Sequence, residues 1–147
     1  MSHIRQQIRE AIVTKLKEIE TFGGRVYPYR TRPHHTLPDA LVYTSEDEVN
    51  HELDTMKKDK YIRTVTVKIE IRVKATANID DTIDDLCVET EEKMFDDPAF
   101  GGLVKQLDLI TTTIELSGES DKTVGLATIE YEAWYRMLRT DAETVIQ

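Results

Sequence analysis

The sequence contains one cysteine, Cys87, in 147 residues. A lone cysteine excludes an internal disulfide and is typical of a protein that works in a reducing compartment. Long apolar runs are absent too. None approaches the ~20 residues that span a bilayer, and the N-terminal MSHIRQQIRE lacks the apolar segment of a signal peptide. We therefore expect a soluble, cytoplasmic protein with no membrane partner.

Motifs for catalysis, cofactors and metals are equally scarce. The glycine pairs at 23–24 and 101–102 match no nucleotide-binding loop and predict helix stops. The histidine pair at 34–35 has no Cys or carboxylate at a ligand-like spacing beside it. The acids from Asp80 to Asp85 lack the Gly and the closing Glu of a calcium-binding loop. Cys87 falls on the apolar side of a predicted helix, as a small core residue would. We predict no catalytic residue, no cofactor and no metal.

Basic residues are fewer than acidic ones, and they are unevenly distributed along the chain. The net charge is −9, with a balance of +3 over residues 1–45 and −12 over residues 46–147. The most acidic stretch, Asp80 to Asp97, holds nine acids against Lys93 alone. Such a run is most often a solvated helix face, and a surface of that sign repels phosphate backbones. We therefore expect no tight nucleic-acid binding.

What the sequence does contain is one very long alternating segment, Tyr61 to Thr76. Its apolar register is interrupted only by Arg63, and its other register is mostly polar, which predicts a strand with one face on a core. Sixteen residues far exceed the usual strand of about five or six. We expect the excess to project beyond the domain body and to contact a partner. Thr123 to Leu138 alternates in the same way, and the two long strands are expected to pair antiparallel.

Two amphipathic helices are predicted to cover these strands, near 3–21 and 79–95. The first follows Ser2, a suitable N-cap, and places apolar residues at spacings of four, four, four and three from Ile4 to Ile19. Helix stripes and strand registers need each other for burial. The predicted fold class is α+β, a mainly antiparallel sheet with two main helices on one face. We expect a single domain over residues 1–138 and a mobile C-terminal tail over 139–147.

Two features suggest contact surfaces. The segment RVYPYRTR, from Arg25 to Arg32, is basic and aromatic, and it has room for a short strand at most. Tyrosine and arginine are enriched in interface cores, so we select its two tyrosines and two of its arginines: Tyr27, Tyr29, Arg30 and Arg32. An ordinary exposed loop and a stacking surface for single-stranded nucleic acid are the alternatives. Trp134 lies in the polar register of its strand. It is either an interface residue that points away from the core or a residue covered by a neighbouring loop.

The order of the predicted elements resembles a known family. An amphipathic helix and a short strand precede Leu37 to Tyr43, a proline-led LPDALVY segment. Leu53-Asp54 leads into the long strand, and the acidic helix ends in the FDDPAF turn at 95–100. Over about residues 2–138 this order is similar to that of the tail terminator, or tail completion, proteins of long-tailed bacteriophages.

The resemblance implies a virion structural protein and not an enzyme. Members of this family form a six-membered ring that caps the tail tube, stops its polymerisation and joins it to the head connector. The implied partners are further copies of the chain, the tail tube protein and the connector protein. The implied location is the tail-neck region of the virion, after assembly in the host cytoplasm. Alternatives are a small cytoplasmic binding domain or enzyme with an unrecognised pocket, and a nucleic-acid adaptor that uses the 25–32 segment.

Overall fold

The computed structural model of the chain describes residues 2–29, 36–50, 60–74, 78–117, 124–138 and 140–146. Two helices and six strands follow one another along it, with a short 3-10 helix at Glu20–Phe22 after the first helix. In chain order these elements are α1 (Ile4–Leu16), β1 (Val26–Tyr27), β2 (Asp39–Asn50), β3 (Lys60–Lys74), α2 (Ile79–Phe95), β4 (Gln106–Ser117), β5 (Val124–Leu138) and β6 (Asp141–Val145).

The strands form one sheet in the order β1-β2-β3-β5-β4, with β6 paired to the end of β5. Only β1 and β2 run parallel among the described pairs, and every other pair is antiparallel. β3 and β5 pair without interruption from Lys60 opposite Leu138 to Lys74 opposite Val124. The two longest strands therefore form the centre of the sheet.

Both helices pack on one face of this sheet, where α1 lies over β1 and β2 and α2 lies over β3 and β5. The alternating residues of β3 and β5 are buried beneath them, as are the isoleucines of α1. Burial of a Leu, Ile or Val side chain stabilises the fold by roughly 1.5–3 kcal/mol each, so this shared core is the main source of stability. The α+β fold class is confirmed, with its mainly antiparallel sheet and two helices.

The length of β3 is used inside the sheet and not beyond it. Both of its edges are paired, to β2 as far as Ile62 and to β5 along its whole length. Tyr61, near its start, packs against the core. The expectation that the strand projects from the domain body is therefore wrong, because β2 runs beside β3 as far as Asn50, after a bulge between Thr44 and Glu46.

α1 begins at Ile4, and its N-cap is His3 where the sequence suggested Ser2. The backbone N–H of Arg5 donates to Nδ1 of His3 over 3.0 Å, which satisfies one of the free donors at the start of the helix. Regular α-helix ends at Leu16, short of the predicted residue 21, and the chain continues through the 3-10 turn to Gly23. Gly23 has a φ of 55°, a conformation that suits glycine and stops the helix.

The distance between α2 and the sheet depends on Gly125 in β5. A Cβ atom at this position would lie 2.7 Å from Cδ1 of Ile79 and 2.8 Å from Cδ1 of Ile83. The first turn and a half of α2 therefore rests directly on strand backbone. This close approach holds α2 over β3 and β5 and away from β4.

Residues 139–147, which the sequence placed in a mobile tail, contain β6. Met137 pairs with Val145 and Leu138 with Asp141. Ala142 and Val145 pack against the core, and Nε2 of Gln7 donates to the carbonyl of Glu143 over 2.7 Å. This strand thereby joins the start of α1 to the end of β5. The single-domain boundary at residue 138 stays a prediction.

The cap at His3 generates a prediction about pH. Burial lowers the pKa of His3 below 6.5, and the nearby charges of Arg5 and Arg63 lower it further. The unfolded chain therefore binds more protons than the folded one below about pH 6.5, and the free energy of unfolding should fall as pH falls through that value. The H3N variant keeps a capping oxygen and cannot titrate. Urea unfolding at pH 7.5 and 5.0 should show a smaller loss for H3N than for the wild type, and equal losses would contradict this role.

Candidate functional site

β4 is an edge strand of unusual composition. It has twelve residues, QLDLITTTIELS, and none of them is Lys, Arg or Pro. Natural proteins usually protect a long open edge with lysine, proline or a short strand, because unpaired backbone groups recruit other strands. β4 does have a bulge, another protective feature, at Ile110 between Leu109 and Thr111. An edge this long and this little protected is typical of a surface that has a partner.

Apolar side chains are exposed on and beside this edge. Phe95 is 81% exposed and Leu116 58%, values that belong to surface residues. We define the β4–α2 strip as six exposed apolar residues: Val88, Phe95, Leu109, Ile110, Ile114 and Leu116. Contiguous apolar surface rimmed by polar residues marks interaction sites in soluble proteins.

Apart from Ile110 in the bulge, the β4 residues of the strip lie on the helix side of the sheet. Leu109 pairs with Tyr131, and Ile114 pairs with Ala127. Both partners are buried beneath α2, and directly opposite residues of an antiparallel pair share a face. These exposed side chains therefore continue the core layer outward, past the edge of the helix that covers it. They form a part of the apolar sheet face that the described residues leave uncovered.

A cavity of about 210 Å³ lies between β4 and α2, next to the strip. It is lined mostly by apolar side chains, together with one carboxylate: Glu91, Met94, Phe95, Pro98, Leu107, Leu109 and Tyr131. A cavity of about 150 Å³ with apolar walls accepts a benzene molecule, so this space can take one aromatic ring. Burial raises the pKa of Tyr131, and the charge of Glu91 raises it further, so its phenol stays neutral.

The surroundings of the strip are acidic. Asp84 and Glu91 lie one turn on either side of Val88 along α2, where residues three or four apart are neighbours. Asp108 and Glu115 are the only charged residues of β4, and they lie on the strand face opposite to Leu109 and Ile114. Lys93, the one basic residue of α2, is drawn to the other helix, where its Nζ lies 2.9 Å from Oε2 of Glu18. The strip is thus an apolar surface in a negative field.

The predicted aromatic residues of the 25–32 segment lie at the opposite edge of the sheet. Tyr27 and Tyr29 stack with ring centroids 5.4 Å apart and planes inclined by 20°. Arg25, just before them, donates from Nε to the carbonyl of Pro38 over 3.0 Å. Arg30 and Arg32 lie outside the described residues. The structure therefore brings the two tyrosines together on one side of β1.

Trp134 lies on the sheet face away from the helices. Its neighbours in β5, Ala133 and Tyr135, are buried in the core, while Trp134 itself is half-buried. Its Nε1 donates to Oε1 of Gln106 at the start of β4 over 3.2 Å. Trp134 therefore points away from the helices, a residue of β4 accepts its hydrogen bond, and its role as an interface residue stays a prediction. Trp134 and the tyrosine pair do not form one site, since β2 and β3 separate them.

The β4–α2 strip was not recognised from the sequence. The run LITTTIEL carries apolar residues of the strip, but exposure depends on which strand ends the sheet. Phe95 lies at the end of the predicted helix, as it does in α2, but the pattern gave no sign that its side chain is exposed. A long β-branched segment without Lys or Pro was the signal available in the sequence.

A buried ionic cluster is the strongest alternative location for chemistry. Asp47 has a side chain only 4% exposed, and its oxygens accept from Arg63 Nε over 3.0 Å, Arg5 Nη1 over 2.9 Å and Tyr135 OH over 2.7 Å. This explains Arg63, the one break in the apolar register. Burial raises the pKa of Tyr135, and its hydrogen bond to Asp47 raises it further. Every group in the cluster has a partner within it, so the arrangement stabilises the fold and is not poised for catalysis.

Within the residues that the structure describes, no three His, Cys, Asp or Glu side chains are grouped so as to hold a metal ion. In the same ranges, no helix is long and apolar enough to cross a membrane. Cys87 is buried, and burial raises its pKa to about 11. Its thiol is therefore unreactive at neutral pH.

Comparisons with known proteins include a solved structure of low similarity. No protein family matches the chain, and no curated protein does either. A chain of the structure titled "Virion of native gene transfer agent (GTA) particle" aligns with a TM-score of 0.35 at 11% sequence identity. The alignment covers 86% of this chain and 93% of that one. At this TM-score the likeness carries no argument about function.

The ionic cluster generates a prediction about stability. In D47A the buried donors of Arg63 and Tyr135 lose their acceptor, and removal of one member of a buried ionic network typically costs about 3 kcal/mol. We expect a loss of that size in the free energy of unfolding, measured by urea denaturation. E48A removes an exposed acid next to it in β2 and should change stability by less than about 0.5 kcal/mol. Similar values for the two variants would show that the cluster contributes little.

Proposed function

We propose that this protein is a structural component of a phage-like virion, a tail terminator that assembles into a ring on the end of the tail tube. The ring, six-membered as in the family that the sequence resembles, ends polymerisation of the tube and joins it to the head connector. Its partners are further copies of the chain, the tube protein and the connector protein. It acts in the tail-neck region of the virion and has no catalytic role.

The observation that carries this proposal is the uncovered β4–α2 strip on an unprotected sheet edge. Buried apolar area is the dominant favourable term in most protein association, and the strip leaves such area in water. A protein with this edge is expected to aggregate unless a specific partner covers it. In a ring each subunit has such a partner, because the edge of each copy is covered by its neighbour.

Further contact surfaces in the assembly are proposed from the aromatic and basic residues that the sequence singled out. Tyr27 and Tyr29 lie beside β1, and Trp134 lies on the sheet face away from the helices. Arg30 and Arg32 follow the tyrosines in the sequence. A subunit of such a ring must contact its neighbours, the tube and the connector, so it needs several contact surfaces. Tryptophan, tyrosine and arginine are the residue types that most often dominate such contacts.

The first prediction concerns self-association. The wild-type protein should form rings visible by negative-stain electron microscopy and larger than a dimer by light scattering. F95D places a charge on a side chain that is 81% exposed, so the fold should be unaffected. Its association should weaken by about 2 kcal/mol, roughly thirtyfold in concentration, as for other interface aromatics. The matched control K17D alters an exposed position directly after α1 and should assemble normally. A wild type that stays monomeric at all concentrations would overturn the proposed function.

The second prediction concerns DNA, which must pass through such a ring without adhering to it. Each chain carries a formal charge of −9, and contacts to phosphates need Lys and Arg. Gel-shift titration at moderate salt should show no sub-micromolar binding to duplex DNA. Tight binding that is lost in the variant R30A/R32A would favour the nucleic-acid adaptor instead.

A further inference from the structure

Two edges of the sheet differ in chemistry and lie at opposite ends of it. One is β4 with the strip; the other is β1, beside which we define the β1 rim as Arg25, Tyr27 and Tyr29. Four strand spacings separate β1 from β4 in the order β1-β2-β3-β5-β4. At about 4.8 Å per spacing, the two edges are about 19 Å apart across the sheet. The two surfaces can therefore contact different neighbours at the same time.

We propose that the β4–α2 strip of one copy is covered by the β1 rim of the next copy. This inference rests on the proposed function, because it names the contact that builds the ring. It assigns one occupant, a second copy of this chain, to a surface that the sequence analysis did not recognise. The tube and the connector are then left to the remaining surfaces.

Charge complementarity is the first argument for this pairing. The stretch around α2, Asp80 to Asp97, carries a net charge of −8, and β4 adds Asp108 and Glu115. The β1 rim carries the positive charge of Arg25, and residues 25–29 contain no acid. Copies that meet by their β4 edges would bring two negative surfaces together, and like charges at an interface disfavour a partner by several kcal/mol. Contact between unlike edges is attractive.

Shape supplies the second argument. The cavity next to Phe95 and Leu109 has about 210 Å³, room for one aromatic ring, and its single carboxylate, Glu91, can accept from a phenol. The β1 rim offers two stacked tyrosines, which present large apolar area with a polar tip. A tyrosine of one copy therefore matches the cavity of its neighbour in size and in hydrogen-bonding capacity.

Symmetry then decides what assembly results. The strip and the rim are different surfaces on the same chain, so their contact is heterologous and repeats from copy to copy. Such a contact forms a ring when its rotation closes, whereas a strip that contacted another strip would stop at a two-fold dimer. The pairing of unlike edges therefore supplies the kind of interface that a ring requires.

Directional cross-linking tests this proposal. We would place cysteines at Val88, in the strip, and at Pro28, exposed between the two tyrosines, in a C87A background, and treat the full-length protein with a bis-maleimide. V88C/P28C should give a ladder of covalent multimers on a denaturing gel, up to the size of the ring. V88C alone and P28C alone should give monomers. The control T14C/P28C uses an exposed position on α1 and should give no ladder.

Each other result has a definite meaning. Dimers from V88C alone would show that strips contact each other, and the inference would be wrong. A missing ladder from V88C/P28C, with rings still visible by electron microscopy, would overturn the inference and leave the proposed function intact. A wild type and a double variant that are both monomeric in solution would overturn both. Association through unlike charges should also weaken as salt rises, and association that strengthens in salt would count against this contact.

Discussion

The pairing of β3 with β5 over fifteen consecutive positions is the constraint on which the rest of the structure depends. Side chains alternate along a strand, so this register places one row of apolar residues from each strand on the same face. A shift of one strand by one position would turn its row toward the other face. The two helices, the capping strand β6 and the Asp47 cluster all contact the face or the end that this pairing creates. Helices of 13 and 17 residues bury the apolar rows of β3 and β5, whereas the apolar residues of β4 beside them are exposed.

The uncovered part is therefore a consequence of how α2 is placed. Gly125 lets the start of α2 approach β5 closely, and the helix then lies over β3 and β5. β4 extends the apolar layer sideways beyond this cover. A helix centred farther toward β4 would bury the strip but leave part of the central core open. The protein thus has a stable centre and an incomplete edge, the combination expected of a subunit whose fold must form alone and whose edge is completed by a neighbour.

Most of the fold could be predicted from the sequence because the relevant signals are local. Alternation identified β3 and β5, and spacings of three and four identified both helices. Arg63 shows where local reasoning ends: it breaks an apolar register, and its partner Asp47 is brought to it only by the pairing of β2 with β3. The end of α1 and the strand β6 depended on contacts with distant residues for the same reason.

The candidate site was harder to predict, since exposure is a property of the whole sheet. LITTTIEL would be an ordinary buried strand if another strand lay beyond it. It is exposed because the sheet ends there, and strand order is not encoded in the local pattern. Tyr27, Tyr29 and Trp134 were identified by residue type alone, which finds anchors but does not show which surfaces they face.

The acidic charge of α2 gains a physical role once the strip is recognised. An open apolar edge risks indiscriminate pairing, and like charges are one means by which proteins oppose it. With Asp84 and Glu91 beside the strip, two strips that approach one another are repelled before their apolar side chains can meet. The same charges attract a basic surface, so the field that prevents contact between identical edges favours contact between unlike ones. The negative charge would then affect which surfaces meet during assembly. It would not affect the fold, because α2 packs on the sheet through its apolar side and not through its acids. This accounts for a chain that keeps its acids on the helix beside an exposed apolar edge and has Arg25 near the far edge of the sheet.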